Sequence, residues 1–549
     1  MAKTLKVIFL GGVDEIGKNM TAIEYSDRIV VVDAGMSFPT DDTPGIDYII
    51  PDFAYLKSNA EKVKALFLTH GHEDHIGAVP HFLEEFDVPV YGTAMTLAAV
   101  SYKLDEHGVS RDKLHTVEYG EKVTSGVFTA EFVKVCHSIA GAAAISLSTP
   151  KGVVFFTGDY KVDLSPIDGK LTDLARMAEI GASGVKLLLA DSTNVEEKGH
   201  SKSESSVGAS LDVIFSNHCE KRIIITTFSS HNYRLQQIVW LAEKYGRKIA
   251  LSGKSMRKFL DISLKLGEIK APEGIFIDQG DIKKYEPGAL VIISAGSQGE
   301  PMSALTRMSV GEYSKVKIGQ DDLVVLSASP IPGNERLINR LINNLYRLGA
   351  EVINDDMDYV HSSGHAHQEE MKLLFGLLKP EYFVPVHGEY RHLKKHAEIA
   401  VQSGIPKENI FIPEIGMTIG ISETGCKRLD NVQGGAVYAD GMLLNGISGN
   451  SVLRDRKSLS DSGLVIALLI LNRRGELAIP ADITARGLSA DEGFVDEARG
   501  QISVALAALD LDSDGTSIDV KAEVKRALKR YIANKYKQYP MIIPIIIEV

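Results

Sequence analysis

His70-Gly71-His72-Glu73-Asp74-His75 packs four metal-ligating side chains into six residues, directly after the apolar run Val63-Lys64-Ala65-Leu66-Phe67-Leu68. Two imidazoles in a turn can converge on one ion, while the following carboxylate and imidazole, entering a helix, face a second ion close by. Two ions account for four clustered ligands better than one. Similar groups recur far along the chain, each after a strand-like run: Cys136-His137, Asp159 in Phe155-Phe156-Thr157-Gly158-Asp159, and His387 in Val384-Pro385-Val386-His387-Gly388. Seven ligands at strand ends suit a hydrolytic site.

The elements that must position these groups are legible as hydrophobic patterns. Residues 5–10, 28–33, 63–69, 127–135, 143–148 and 152–157 read as buried strands, with helices at 76–86 and 93–104, which predicts a layered α/β fold. A regular βα rhythm starts near 206, with strands at 223–226, 248–251 and 290–293 and a helix at 232–245. Because His- and Gly-bearing loops resume at 361–390, this block reads as an insertion. The expected domains are 1–205, an inserted 206–360, the return of the first domain at 361–429, a Gly- and Asn-rich linker at 430–450, and a small α/β domain at 451–549. In that last block a helix from about 519 carries Lys521, Lys525, Arg526, Lys529 and Arg530, followed by Lys535 and Lys537. A solvated face and an RNA or subunit contact both fit it.

Bulk properties narrow the class. A chain of 549 residues holds several domain-sized units, and 44% hydrophobic with 24% charged residues excludes wholesale disorder. The net charge of −12 does not announce a nucleic-acid partner; ions and a few basic residues can still make a cleft locally positive on an acidic body. Cys136, Cys219 and Cys426 are too few and too far apart for a disulfide framework or a CxxC site. Neither the four apolar residues after Lys6 nor Met541–Ile547 reaches the length of a membrane span, so the expectation is a cytoplasmic protein without a membrane anchor.

The order HxHxDH, His, Asp, His resembles the metallo-β-lactamase superfamily. The insertion narrows the resemblance to its β-CASP nucleases and to the ribonuclease J family. Further matching strings are Gly11-Gly12-Val13-Asp14-Glu15-Ile16-Gly17-Lys18-Asn19, Ala190-Asp191-Ser192-Thr193, Gly296 to Leu305, Pro332-Gly333-Asn334-Glu335 and His361-Ser362-Ser363-Gly364-His365-Ala366. The implied fold is an αββα sandwich with an inserted β-CASP α/β domain and a small C-terminal α/β domain. The resemblance implies that His70, His72 and His137 hold one zinc, that Asp74, His75 and His387 hold the other, and that Asp159 bridges them. Neutral imidazoles and carboxylates suit Zn²⁺, and Mn²⁺ fits the same N/O set. A water shared by such ions can lose its proton near pH ~7 and attack a phosphodiester in line.

Other assignments follow from the same resemblance. Asp191 would orient a ligand or its water, although an N-cap in Asp191-Ser192-Thr193-Asn194 explains it too. His365 would stand beside the scissile phosphate as acid or charge stabiliser, His361 would shape the same loop, and Ser362-Ser363-Gly364 would present hydroxyls and backbone N–H groups to a phosphate. Gln368-Glu369-Glu370 also reads as a capped helix start. Ser230, His231 and Asn232, opening a helix, would bind a terminal 5′ phosphate, with helix capping as the plainer account. Asp47 and Asp440 are candidates for a calcium-like site, and an Asp-Gly turn explains Asp440 equally well.

The expected activity is 5′ to 3′ exonuclease with some endonuclease action on RNA, preferably 5′-monophosphorylated, in rRNA maturation and mRNA decay. Alternatives are a structural paralogue within a ribonuclease J complex, a DNA-processing β-CASP nuclease, or another metallo-β-lactamase chemistry. The family also suggests a homodimer or homotetramer, with a second ribonuclease J subunit or an RNA helicase as partner.

Overall fold

The computed structural model describes residues 3–40, 42–331, 333–355, 357–441, 450–472, 476–509 and 517–549. Pro332 of the Pro-Gly-Asn-Glu string and residues 442–449 of the expected linker therefore lie outside the described residues.

Two sheets face each other around the largest apolar core. The first has eight strands in the order Gly425–Leu429, Thr418–Ser422, Leu5–Gly11, Met20–Tyr25, Arg28–Val32, Val63–Phe67, Val90–Gly92, Leu114–Thr116. The second has six, in the order Tyr382–Val386, Val185–Asp191, Gly152–Phe156, Ala143–Thr149, Phe128–Lys134, Lys122–Ser125. Period-two alternation sends Val7, Phe9, Val30 and Phe67 from one sheet against Phe132, Ile145, Phe156 and Leu189 from the other. The outer face of the second sheet carries Phe155, Leu188 and Phe383, which pack on Met177, Met371, Phe375 and Ile399 from three helices, Leu174–Ser183, Gln368–Leu378 and Tyr390–Gln402. Helix Ala94–His107 packs on Val90–Gly92 and Leu114–Thr116 of the first sheet, so helices flank both sheets as in the expected sandwich. The predicted helix at 76–86 is two short helices, Glu73–Ile76 and Val79–Glu85, because Gly77 and Ala78 interrupt the run and Pro80 favours a fresh helix start.

Strand direction explains why the ligands meet. Gly152–Phe156 runs parallel to Val185–Asp191, which runs parallel to Tyr382–Val386. Parallel neighbours end at the same edge of a sheet, so Asp159, Asp191 and His387 emerge side by side.

The inserted region is a six-stranded, wholly parallel sheet in the order Phe276–Ile277, Lys248–Ser252, Leu290–Ser294, Arg222–Thr226, Asp322–Leu326, Glu351–Ile353, with apolar clusters on both faces. Sequences such as Ile223-Ile224-Ile225 are apolar throughout because both faces are covered.

The chain divides into two compact units, one reaching to Ser37 and resuming at Ile50–Ala436, the other made of Phe38–Ile49 with Val437 onward. The expected first domain is thus interrupted: Phe38–Ile49 joins the C-terminal unit, where the Asp47 amide donates to the Ala439 carbonyl (2.9 Å). Within the expected linker, Ala436–Ala439 forms a strand. The C-terminal sheet, ordered Asp482–Arg486, Leu464–Leu471, Met541–Glu548, packs one face on helices Phe494–Ala507 and Ser517–Tyr536. On the basic helix, Arg526 pairs with Glu523, and Lys535 pairs with Asp491 and Glu497. No helix among the described residues is long and apolar enough to cross a membrane.

Candidate metal centre and substrate cleft

Seven side chains close into two groups that share one carboxylate. His70, His72, His137 and Asp159 bring ligand atoms within 4.8 Å of one another, as do Asp74, His75, Asp159 and His387. A third overlapping group adds Asp191 and His365 to Asp159 and His387. Nδ1 of His72 lies 3.1 Å from Nε2 of His70 and 3.1 Å from Nε2 of His137. Ligands bonded at ~2.0–2.1 Å around one tetrahedral ion sit at about that separation. Oδ1 of Asp159 is buried without an acceptable hydrogen bond, although Nε2 of His75 lies 3.2 Å away. Converging imidazole nitrogens around an orphaned buried carboxylate oxygen fit cations.

Protonation divides the imidazoles into two kinds. Burial pushes His72 down to about 4, and burial followed by neighbouring imidazoles holds His70 and His137 well below the ordinary histidine range. All three are neutral at pH 7, the state in which imidazole binds a metal. Burial opposes protonation of His75 and His387 as well, but the carboxylates around them win: Asp159, Asp74 and Asp33 raise His75, while Asp159, Asp191 and Asp74 raise His387. Burial would raise Asp159, yet His387, His75 and His70 keep it well below the carboxylate range.

Four of the ligands, Asp74, His75, His137 and His387, are held from behind. Asp33, at the end of strand Arg28–Val32, accepts from the Thr69 amide (2.8 Å) through one oxygen and lies 2.8 Å from Nδ1 of His75 through the other. His137 donates Nδ1–H to the Gly364 carbonyl at 2.7 Å, which leaves Nε2 for a ligand role. A Cβ on Gly364 would come within 2.7 Å of the His137 ring, so only glycine allows this approach. His387 adopts φ 56°, unusual for a residue with a side chain, and its amide donates to the Gly12 carbonyl at 2.7 Å. Asn19 donates to the Asp74 carbonyl (3.1 Å) and lies 3.0 Å from Nε2 of His75.

Asp191 serves two histidines. Oδ2 is 2.7 Å from Nδ1 of His365 and Oδ1 is 3.3 Å from Nδ1 of His387. The same Oδ1 accepts from the Thr193 amide (2.9 Å), so the local turn and the orienting role coexist. Burial works against a charged His365, but Asp191 and Asp159 overcome it and raise its pKa. Around it, Ser363 Oγ accepts from Asn194 (2.6 Å), and Ser362 donates to the Lys202 carbonyl (2.6 Å) while accepting from the buried Lys161 ammonium (3.1 Å). Burial beside Arg234 takes His361 down to about 3. The capped start is present at helix Gln368–Leu378, where Glu370 accepts from the His367 amide at 2.8 Å.

Positions 230–232 look different in three dimensions. His231, not Ser230 or Asn232, caps helix Asn232–Lys244 by accepting the Arg234 amide. The Asn232 amide group is committed, accepting from the Ala140 amide (3.3 Å) and donating to Ser263. Both side chains are buried, and Ser230 is half-exposed. Asp47 and Asp440 are not gathered into any metal-type group among the described residues; Asp440 pairs with the Arg456 guanidinium, and Asp47 accepts from the Gly441 amide at 2.7 Å.

Beside the metal groups opens a cleft of about 600 Å³. Glu73 and Ile76 line one wall; Phe228, Ser229, Lys254, Ser255, Lys258 and Ser297, following the parallel strands of the inserted sheet, line the other. The carboxyl ends of parallel strands are where open α/β sheets bind ligands, and ammonium and hydroxyl groups there suit phosphate. Sequence reasoning missed Lys254, Ser255 and Lys258, although Ser252-Gly253-Lys254-Ser255 directly after a strand was a usable signal. It also missed Asp33, Thr193 and Lys161.

Comparison with known proteins agrees with this geometry along the whole chain. Residues 13–184 match the metallo-beta-lactamase superfamily, 220–345 the ribonuclease J beta-CASP domain, 352–413 the Zn-dependent metallo-hydrolase RNA specificity domain, and 451–549 the ribonuclease J C-terminal domain. Ribonuclease J 1 of Streptococcus pyogenes serotype M3 is 40% identical, covering 98% of this chain and 97% of that protein. The chain belongs to the ribonuclease J family. Ribonuclease J2 of Bacillus subtilis is 39% identical over 100% of this chain and 99% of its own, and ribonuclease J of Thermus thermophilus 37% over 99% and 95%. A solved structure of a protein of unknown function from Enterococcus faecalis V583 shares the fold, with a TM-score of 0.54 at 16% identity over 76% of this chain and 100% of that one. The two facing sheets are accordingly a metallo-β-lactamase sandwich with a β-CASP insertion and a ribonuclease J C-terminal domain.

Proposed function

We propose that this metal-dependent ribonuclease works with two zinc ions, one held by His70, His72 and His137, the other by Asp74, His75 and His387, with Asp159 between them. The carrying observation is that Asp159 belongs to both ligand groups while His365 stands next to it on Asp191. Bound divalent ions would supply a water acidified to pKa ~7 and positive charge beside the phosphate. Asp33, Asp191 and the Gly364 carbonyl hold the ligands in place. His365, its pKa raised by Asp191 and Asp159 and its Nδ1 anchored on Asp191, would offer Nε2 as the proton donor to the leaving oxygen. Manganese suits the same donors, and metal analysis of protein purified without added metal decides between them.

The favoured substrate is 5′-monophosphorylated RNA, shortened in the 5′ to 3′ direction with some internal cleavage, in rRNA maturation and mRNA decay. What supports this is the cleft beside Glu73, where Ser229, Lys254, Ser255 and Lys258 offer a phosphate a fixed seat away from the metal ligands. Ser230 stays in the proposed contact set, while His231 and Asn232 act by anchoring the loop. Product analysis on matched 5′-mono- and 5′-triphosphorylated RNAs tests the reading: faster stepwise release from the monophosphate is expected, and equal rates overturn it. Matched DNA in competition separates RNA from DNA processing. Convergence of all seven ligands favours an enzyme over a structural paralogue.

We place the protein in the cytoplasm, which three free cysteines support. We also infer a homodimer or homotetramer, with a second ribonuclease J subunit or an RNA helicase as further partners. Along Leu464–Leu471 and Met541–Glu548, Leu464, Ile466, Leu468 and Ile470 are half-buried and Ile543, Ile545 and Ile547 are 40%, 42% and 46% exposed. An apolar sheet face of that kind suits an identical face on a second copy.

A further inference from the structure

A second set of metal-type side chains stands apart from the centre described above. Helix Val79–Glu85 carries His81 and Glu84, three residues apart and so neighbours on one face, and helix Ala94–His107 ends on His107. Nδ1 of His81 is 3.2 Å from Oε2 of Glu84, and the His81 and His107 rings stand perpendicular with centroids 4.8 Å apart. One ligand atom from each of the three lies within 4.8 Å of the others. Two imidazoles and a carboxylate form a donor set that zinc takes with a water as fourth ligand.

We propose that His81, Glu84 and His107 bind a divalent transition-metal ion, zinc by donor type, separately from the catalytic centre. His81 is buried, which fixes its ring, whereas Glu84 and His107 are exposed, which leaves the ion a route in. Burial also lowers the His81 pKa and keeps the imidazole neutral for ligation, while the nearby Lys103 ammonium is engaged by Glu73. The ion would join two helices that back the catalytic loop. Thr96 and Ala99, on the second helix, pack so close to Gly71 that a Cβ there would touch both at 3.4 Å. Lys103, on the same helix, pairs with Glu73 inside the HxHxDH segment.

The test is zinc content of the full-length protein after equilibrium dialysis against zinc. His107→Ala and Glu84→Gln, both at exposed positions, are each expected to hold one zinc fewer than the parent chain, with unchanged circular dichroism and unchanged ribonuclease activity. The His72→Ala chain, damaged at the catalytic centre, is expected to lose one further zinc when His107→Ala is added. Equal zinc content in parent and His107→Ala protein overturns the proposal, whatever the catalytic centre binds.

Discussion

His72 presents one nitrogen to both His70 and His137, so its removal opens the first ligand group from two sides. His72→Ala is expected to lower bound zinc and abolish RNA turnover, measured on the same preparation. Asp33→Asn keeps the size of the group that orients His75 but removes its charge; metal affinity is expected to fall about 10–100-fold, read by competition with a chelator. Gly364→Ala forces a methyl group against His137, and overpacking of this kind costs about 1–3 kcal/mol, visible as a lower Tm together with weaker zinc binding. In the metal-free chain the carboxylates around His75 and His387 favour their protonated forms, and a metal takes only the neutral forms. Zinc uptake at pH 7 therefore releases protons, and affinity rises as pH increases through and above neutrality. A pH-indicator titration with no proton release contradicts this assignment.

At the scale of elements, the strands and their ends were readable and their supports were not. His70, His137, Asp159 and His387 each close an apolar run, so type and position could be seen together in the sequence. Gly364 looked like a phosphate cradle because nothing in a glycine announces that its carbonyl faces an imidazole 227 positions earlier. His231 and Asn232 looked like ligand groups because a helix start exposes polar side chains in one dimension; in three dimensions the neighbouring Ala140 and Ser263 absorb Asn232. Phe38–Ile49 carries no compositional mark of its allegiance to the C-terminal unit. At the ends of the parallel strands the cleft carries Lys254 and Lys258, the latter paired with Glu106. Lys254→Ala with Lys258→Ala is expected to weaken RNA binding, lower the salt dependence by about two charges and reduce the preference for a 5′ monophosphate.

For the whole molecule, the C-terminal sheet face is where the proposed homo-oligomer is tested. Ile545→Asp puts a charge into that apolar face, and light scattering is expected to show a smaller species with monomer-level zinc content retained. An unchanged mass redirects the search for the interface. The split ligand set has a consequence in time. His70, His72, Asp74 and His75 leave the ribosome early, but His365 and His387 follow only after the entire parallel sheet of the insertion has been made. At ~5–20 residues per second, the interval between His75 and His387 is roughly 15–60 s. Under the proposed assignment the nascent chain lacks a complete second ligand group and His365 throughout that interval, so the centre closes only after most of its own message has been read.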